Sequence, residues 1–438
     1  MPRFEHKSQY DPRPQRRPVT RISTQQRKID DPAEVRMTMP VLHLRSSTLH
    51  PNLFRKRLFQ VPDNVLGGDL VAVDLEDGSR LGYGLYNPMA EIAVRMLTFG
   101  DIFPDVDFWR ARLQRAVSLR MDELKLPETA DTYRLIHAEG DGFPGLVIDR
   151  YGDVLAVEVF ALGMFQRAEA AVKLLAELCG TKHYIIRCSP YSEEQEGFDA
   201  ETIRSAHCPS SVIVQEYGTR FKVRFDQHKT GFFCDQRENR LKLAQFCEGK
   251  SVLDLCCYTG GFAVQAKKLG KAAEVVGVEL DEEPLKLARD NANMNQVRVT
   301  FAQSDVFPYM RDLIRDGRKF DVVVLDPPKL IRNRDEIEEG ARKHFDLNRL
   351  AMQIVNPGGL LLTCSCAGLL SDDEFRKMLC SAARQAGEPI PTDDPLGRPR
   401  HLPRDMQILA STGAGSDHPI LGNCPESEYL KAYWLRML

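Results

Sequence analysis

Several groups in this chain have the type and spacing to do chemistry, and the sharpest is Asp326-Pro327-Pro328-Lys329, directly after the apolar run VVVL. Both prolines lack an N–H donor and fix the backbone, so the carboxylate is held on a rigid polar corner. An ordinary turn more often uses Gly or Asn. At the carboxyl end of a strand, such a corner lies where open α/β sheets bind ligands. A second apolar run ends in Thr363-Cys364-Ser365-Cys366-Ala367-Gly368. If its strand lies beside that of Asp326, the thiol of Cys366 faces the same crevice. A thiolate is a strong nucleophile, but a free thiol with a pKa of about 8.5 needs help from its surroundings to ionise. Lys329 is placed to give that help electrostatically. A free Cys is more often a small buried hydrophobe. Strand alternation also sets Cys364 on the same face as Cys366, so position alone leaves two thiols in competition.

Three further places have the character of a ligand cradle. The turn DLCCYTGG at 254–261 brings Asp254, Tyr258, Gly260 and Gly261 to a strand-to-helix junction. It lacks the GxGxxG fingerprint, so a dinucleotide is disfavoured, but the paired glycines let a ligand approach the backbone. Glu279 ends the next strand, where an acidic side chain can accept hydrogen bonds from ribose hydroxyls. Asp305 follows the third strand. It can accept from an exocyclic amine, or it can simply cap the next helix.

The elements that must position these groups are legible in outline. From residue 247 onward, the runs SVLDL, EVVGVEL, VRVTFAQ, FDVVVLD and GGLLLTCS alternate with helical patterns, and Ser371 with Glu374 forms a capping box. Alternating strands and helices specify a parallel, doubly wound sheet. MQILAS and YLKAYWLRML are read as two closing strands. Upstream, residues 37–104 alternate apolar and polar around the turn at 76–79, as a small β domain does. Residues 105–128 form a helical linker. Residues 129–219 form a middle α+β domain, with a helix from about Ala168 to Leu178. Residues 220–438 form the domain that carries the site. Residues 1–36 are rich in Arg, Pro and Gln and are expected to be a disordered basic tail. Such a tail is either merely solvated or adds affinity for phosphates.

With 438 residues the chain has room for several domains, and 43% hydrophobic and 28% charged residues are ordinary for a globular protein. No apolar run is long enough to span a membrane. The eleven cysteines include no CxxC pair, so neither a metal site nor a disulfide framework is indicated, and a reducing, cytoplasmic setting is expected. A formal net charge of -3 argues mildly against a nucleic-acid binder and confines any such contact to local patches.

Taken together, DLCCYTGGFAVQA, VVGVELDEEPLKLARDNANMN, FDVVVLDPPK and LLTCSCAG resemble the binding and catalytic motifs of class I S-adenosylmethionine (SAM)-dependent methyltransferases. More narrowly, the chain is similar to the large-subunit (23S) ribosomal RNA cytosine-5 methyltransferases that carry an N-terminal PUA domain. That likeness extends over nearly everything after residue 38. It includes YNP at 86–88, AEGDGFPGLVIDRYGD at 138–153, QHKTGFFCDQRENR at 227–240, DHP at 417–419 and the ending PESEYLKAY. The resemblance implies a PUA-like RNA-binding β-barrel, a middle α+β domain and a Rossmann-like catalytic domain. It implies SAM as cofactor, with residues 254–261 cradling its methionine part, Glu279 its ribose and Asp305 its adenine, and with Asp326 and Pro327 also among the cofactor-binding residues. It also implies that Cys366 attacks C6 of cytosine while Asp326 serves N3, and that the partner is RNA. The oligomeric state stays open, a homodimer included.

Two departures from the resemblance bear on mechanism. Many RNA cytosine-5 methyltransferases have a second Cys after the motif prolines, where this chain has Lys329, so the base that completes release is unassigned. Cys364 stands where relatives often have an aromatic residue, and the Ser365-Cys366 pair favours Cys366 as the nucleophile. Rival functions are methylation of uridine C5 or guanine N7, or a catalytically silent RNA-binding factor in ribosome assembly. A guanine enzyme needs no thiol, and the complete fourth- and fifth-strand motifs argue against a silent factor.

Overall fold

The β-branched runs of the second half pair into one seven-stranded sheet. Its strands are β1 (Ser251–Leu255), β2 (Glu274–Glu279), β3 (Thr300–Gln303), β4 (Phe320–Leu325), β5 (Val355–Ser365), β6 (Met406–Thr412) and β7 (Lys431–Met437). In this computed structural model, which describes residues 22–35, 38–225, 231–390 and 400–438, the order is β3-β2-β1-β4-β5-β7-β6. Strands β1 to β5 run parallel, and β7 is antiparallel to both β5 and β6. The chain winds outward from β1 to β3 and then returns to lay β4 on the other side of β1. That reversal opens a crevice at the carboxyl ends of β1 and β4. Helices α1 (Gly261–Lys268), α2 (Glu282–Met294), α3 (Val306–Arg315), α4 (Ile337–Gln353) and α5 (Asp372–Ala383) cover the faces. In β4, Val322 to Leu325 are wholly buried, which explains why that strand reads as an unbroken apolar run. The capping box at Ser371 and Glu374 is present at the start of α5.

Between Val41 and Phe99 the strands join in a six-stranded sheet. The helix Val106–Ser118 begins on Asp105, whose side chain accepts from the Phe108 N–H at 2.9 Å. It is more than a linker, because it buries Trp109 and Leu113 and continues through Leu119–Glu123 to a fully buried Arg120. Five strands between Thr132 and Arg204 form the middle sheet. Its helix runs Leu162–Cys179, longer than the span read from the sequence. Leu162, Gly163, Met164 and Phe165 are all buried, so the first turn has no polar face and no amphipathic period to betray it.

The N-terminal segment is also more ordered than its composition implies. Residues 1–21 lie outside the described residues, and with them most of the basic tail. Residues 22–35 pack along the middle domain instead of trailing in water. Buried Arg167 pairs with Asp30 at 2.7 Å, and the Gln26 amide donates to the Phe165 carbonyl at 2.7 Å. The polar groups that look like a solvated tail are satisfied by the protein itself.

A single connection, residues 413–430 between β6 and β7, ties all these units together. Asp417 accepts from the Arg134 backbone N–H at 2.8 Å and forms a two-pronged pair with Arg237 at 2.7 and 3.0 Å. Its carbonyl accepts from Arg120 at 2.6 Å. Further along, Asn423 donates to the Leu49 carbonyl, and Glu426 meets His50 at 3.2 Å. Thus DHP and PESEY, prominent in the sequence but without a role there, are joints between domains.

Candidate active site

The turn after β1 is wound tightly. Cys256 and Tyr258 have φ of 62° and 48°, and Gly260, which precedes α1, has φ of 79°. Left-handed backbone at non-glycine residues costs roughly 1–3 kcal/mol each and persists only where surroundings impose it. Two bonds do so here. The Cys257 N–H donates to the Val278 carbonyl at 2.9 Å, and the Tyr258 N–H donates to the Glu279 carboxylate at 2.8 Å. Glu279 also accepts from the N–H groups of Leu280 and Asp281 at 2.9 and 3.1 Å. A side chain at Gly260 would press its Cβ to 3.2 Å from that of Ala288, besides demanding the left-handed backbone.

Asp254 is buried at the carboxyl end of β1. One oxygen accepts from the Ala263 N–H at 2.9 Å, and the other is buried with no partner. Burial pushes its carboxyl well above the usual range, and the nearby Asp326 and Glu279 add to this. A buried acceptor without a donor is costly unless a ligand supplies one. Asp305 caps α3 by accepting from the Phe307 N–H at 2.7 Å. Pro327 is buried, whereas Lys329 points to solvent.

The Asp326 carboxylate accepts from the Gln236 amide at 3.1 Å, and Asn239 orients that amide by donating to it at 2.7 Å. Burial, reinforced by Asp235, pushes the Asp326 carboxyl up to about 7. Asp235 in turn accepts from the Tyr429 hydroxyl at 2.6 Å and keeps one buried oxygen unpartnered. Cys366 stands half-buried one residue beyond β5, on the strand next to that of Asp326. Its thiol is pushed up to about 12, first by burial and then by Asp326 and Asp235, while Lys329 pulls the other way. The help expected from Lys329 is therefore present but outweighed, because an exposed cation is screened and the carboxylates are not. Cys364 is fully buried among Val324, Leu362 and Trp434.

The structure thus gathers Cys366, Asp326 and Lys329 at one point, and Asp254, Tyr258, Gly260, Gly261 and Glu279 at the adjoining turn. The sequence did not single out Asp235, Gln236, Tyr429 or Lys431, although the first two fall in the CDQR run and the last two in EYLK. Residues 227–230 of that earlier block lie outside the described residues.

Asp326 makes a pH-dependent prediction. A carboxyl whose pKa rises on folding binds its proton more tightly folded than unfolded, so it disfavours the folded state increasingly as pH climbs from about 4 to about 7. Asp326→Asn keeps an oxygen for Gln236 and removes that penalty. It should melt above wild type at pH 8, and the gap should shrink toward pH 4.5. Equal melting temperatures at pH 8 would put the carboxyl back in the ordinary range.

Comparison with known proteins now decides the family. Residues 196–390 match the S-adenosylmethionine-dependent methyltransferase family, and residues 45–99 match a PUA-like domain. Ribosomal RNA large subunit methyltransferase I of Aeromonas hydrophila is 37% identical over 395 residues, which cover 88% of this chain and 95% of that protein. The protein of the same name from Shewanella amazonensis is 37% identical over 396 residues, covering 89% and 95%. The chain belongs to the ribosomal RNA large subunit methyltransferase I family. Solved structures agree on the fold of this family member. A methyltransferase complexed with SAH superposes with a TM-score of 0.75 at 19% identity, covering 91% of this chain and all of that one. A SAM-dependent methyltransferase from Streptococcus mutans gives 0.73 at 19% identity, with the same coverage. As a methyltransferase I family member, the chain has SAM as its cofactor. The orphaned oxygen of Asp254 and the close-approach glycine at 260 fit a polar ligand lying across the β1 turn.

Proposed function

We propose that this enzyme methylates C5 of cytosine in large-subunit ribosomal RNA through a transient bond between Cys366 and C6 of the base. The observation that carries this reading is the half-buried Cys366 thiol on the strand beside Asp326, a carboxyl that holds a proton near neutral pH. C5 of cytosine is a poor nucleophile until addition at C6 makes it enamine-like. The Cys366 thiolate adds to C6, and Asp326 passes a proton to N3, so the ring carries no net new charge. Bound SAM supplies an electrophilic methyl group. A base then removes the C5 proton, the Cys366–C6 bond breaks to restore the thiolate, and N3 returns its proton to Asp326 as the aromatic ring re-forms.

Asp254, the 258–261 turn and Glu279 would hold the cofactor, and Asp305 would reach its adenine with the oxygen not used for capping. Relatives named for large-subunit ribosomal RNA support the substrate class. The PUA-like domain supplies a plausible second grip on RNA, which a chain of net charge -3 must concentrate in patches. All eleven cysteines are free, as a reducing cytoplasm would keep them.

The test is transfer of tritiated methyl from SAM to unmodified large-subunit ribosomal RNA, followed by identification of the labelled nucleoside. 5-Methylcytidine is expected. Labelled 5-methyluridine or 7-methylguanosine would overturn the choice of base. No label on naked RNA or on ribosomal particles would favour a silent assembly factor.

A further inference from the structure

The last strand carries a buried amine with no part in the chemistry so far. Lys431 opens β7 directly opposite Ser365 of β5, and only 7% of it is exposed. Its ammonium donates to the carbonyl oxygens of Ala367 and Tyr429, each at 3.0 Å. Cys366 therefore lies between the two residues that Lys431 holds, Ser365 by strand register and Ala367 by hydrogen bond. Both of the ammonium's hydrogen-bond acceptors are neutral. A buried ammonium on neutral acceptors is expensive, and a hydrophobic side chain of similar length fills the same space at lower cost.

The surrounding charges point to one beneficiary. Burial pushes the amine below its ordinary range; of the groups that favour its charge, the Cys366 thiol has the largest influence, ahead of Asp372 and Glu428, while Lys329 opposes it. Asp372 is already engaged by the Tyr433 hydroxyl at 2.8 Å. His344 lies 3.3 Å from the Ser365 hydroxyl, and burial with Lys431 nearby pushes it down to about 4, so it adds no charge at neutral pH. Around the thiol itself stand Asp326 and Asp235, both opposing ionisation, exposed Lys329, and the neighbouring Cys364. Lys329 is exposed to solvent, whereas Lys431 is buried and held by two carbonyls.

We propose that Lys431 is the fixed cation that readies Cys366 as a thiolate, a positioning residue for the nucleophile. This rests on the reading of Cys366 given above, but its test needs no RNA. The full-length enzyme and its Lys431→Gln, Lys431→Met and Lys431→Arg variants would be alkylated with iodoacetamide from pH 6 to 10, and Cys366 followed by peptide mass spectrometry. Gln keeps a donor for the carbonyls without the charge, and Arg keeps both. With Gln or Met, alkylation of Cys366 should slow by about tenfold or more at every pH across this range, whereas Arg should stay near wild type. Exposed Cys380 serves as the internal control with an unchanged profile.

A Gln profile superimposed on wild type would overturn the proposal, since a purely structural lysine needs only the donor. If Met unfolds the protein, seen as alkylation of buried Cys364, the Gln and Arg variants still decide. A labelled nucleoside other than 5-methylcytidine would sink the reading of the reaction and leave this result standing.

Discussion

Cys366→Ala is expected to cut methyl transfer by at least about 1,000-fold while leaving SAM binding and the unfolding midpoint close to wild type, because on the proposed mechanism it removes the covalent nucleophile and with it the whole step. The competitor is Cys364, two residues earlier. It is fully buried in the cluster that holds Val324, Leu362 and Trp434, next to Gln236 and Cys366, whereas Cys366 is only half-buried. Cys364→Ala is therefore a packing change, expected to lower stability by about 1 kcal/mol and to leave the transfer rate within about threefold. Single-turnover transfer of tritiated methyl, with thermal unfolding in parallel, separates the two. Loss of transfer in Cys364→Ala with retention in Cys366→Ala would reverse the assignment.

The second large effect concerns stability, not turnover. Asp417→Ala takes from the fully buried Arg237 guanidinium its two-pronged partner, leaving only the longer contact with Glu238 at 3.5 Å, and strips an acceptor from the Arg134 N–H. Breaking a buried pair from one side costs roughly 3–5 kcal/mol, comparable to much of a domain's net stability. Burial opposes the charge on Asp417, but the His418 ring and Arg237 outweigh it and hold the carboxyl far below its ordinary range. A depressed carboxyl contributes stability above its unfolded pKa of 3.8 and loses it as pH falls through the folded value. The difference between wild type and variant should thus be constant from pH 7 to 5 and narrow only below about 4. Urea unfolding at these pH values checks it, and a deficit that already narrows between pH 7 and 5 would show that another group dominates.

The fold of the catalytic half was readable because each strand is β-branched and bounded by turns, and each helix has one polar face. Asp254, Glu279 and Asp326 could be placed because strand ends in such sheets converge. What escaped is what depends on residues far apart in the chain. Gln236 meets Asp326 across ninety residues of sequence, and Tyr429 meets Asp235 across nearly two hundred. No periodicity encodes such meetings. The fully buried start of the helix at Leu162 hid for the opposite reason, having no polar face to give a period. Residues 22–35 read as a tail because their charges have no local partner, and buried Arg167, more than a hundred residues on, supplies one.

The connection at 413–430 also has a metrical consequence. It pins the PUA-like domain at Leu49 and His50, the middle domain at Arg134, and the catalytic domain at Arg237, all through short polar bonds. These bonds together set the span from the first domain to the Cys366 thiol. A polymer that touches both ends must do the bending itself, swinging its target base out of any stack to reach the crevice. On the reaction proposed above the enzyme would work as a caliper: among chemically identical bases, only one held at the set distance from the anchoring point would meet the sulfur.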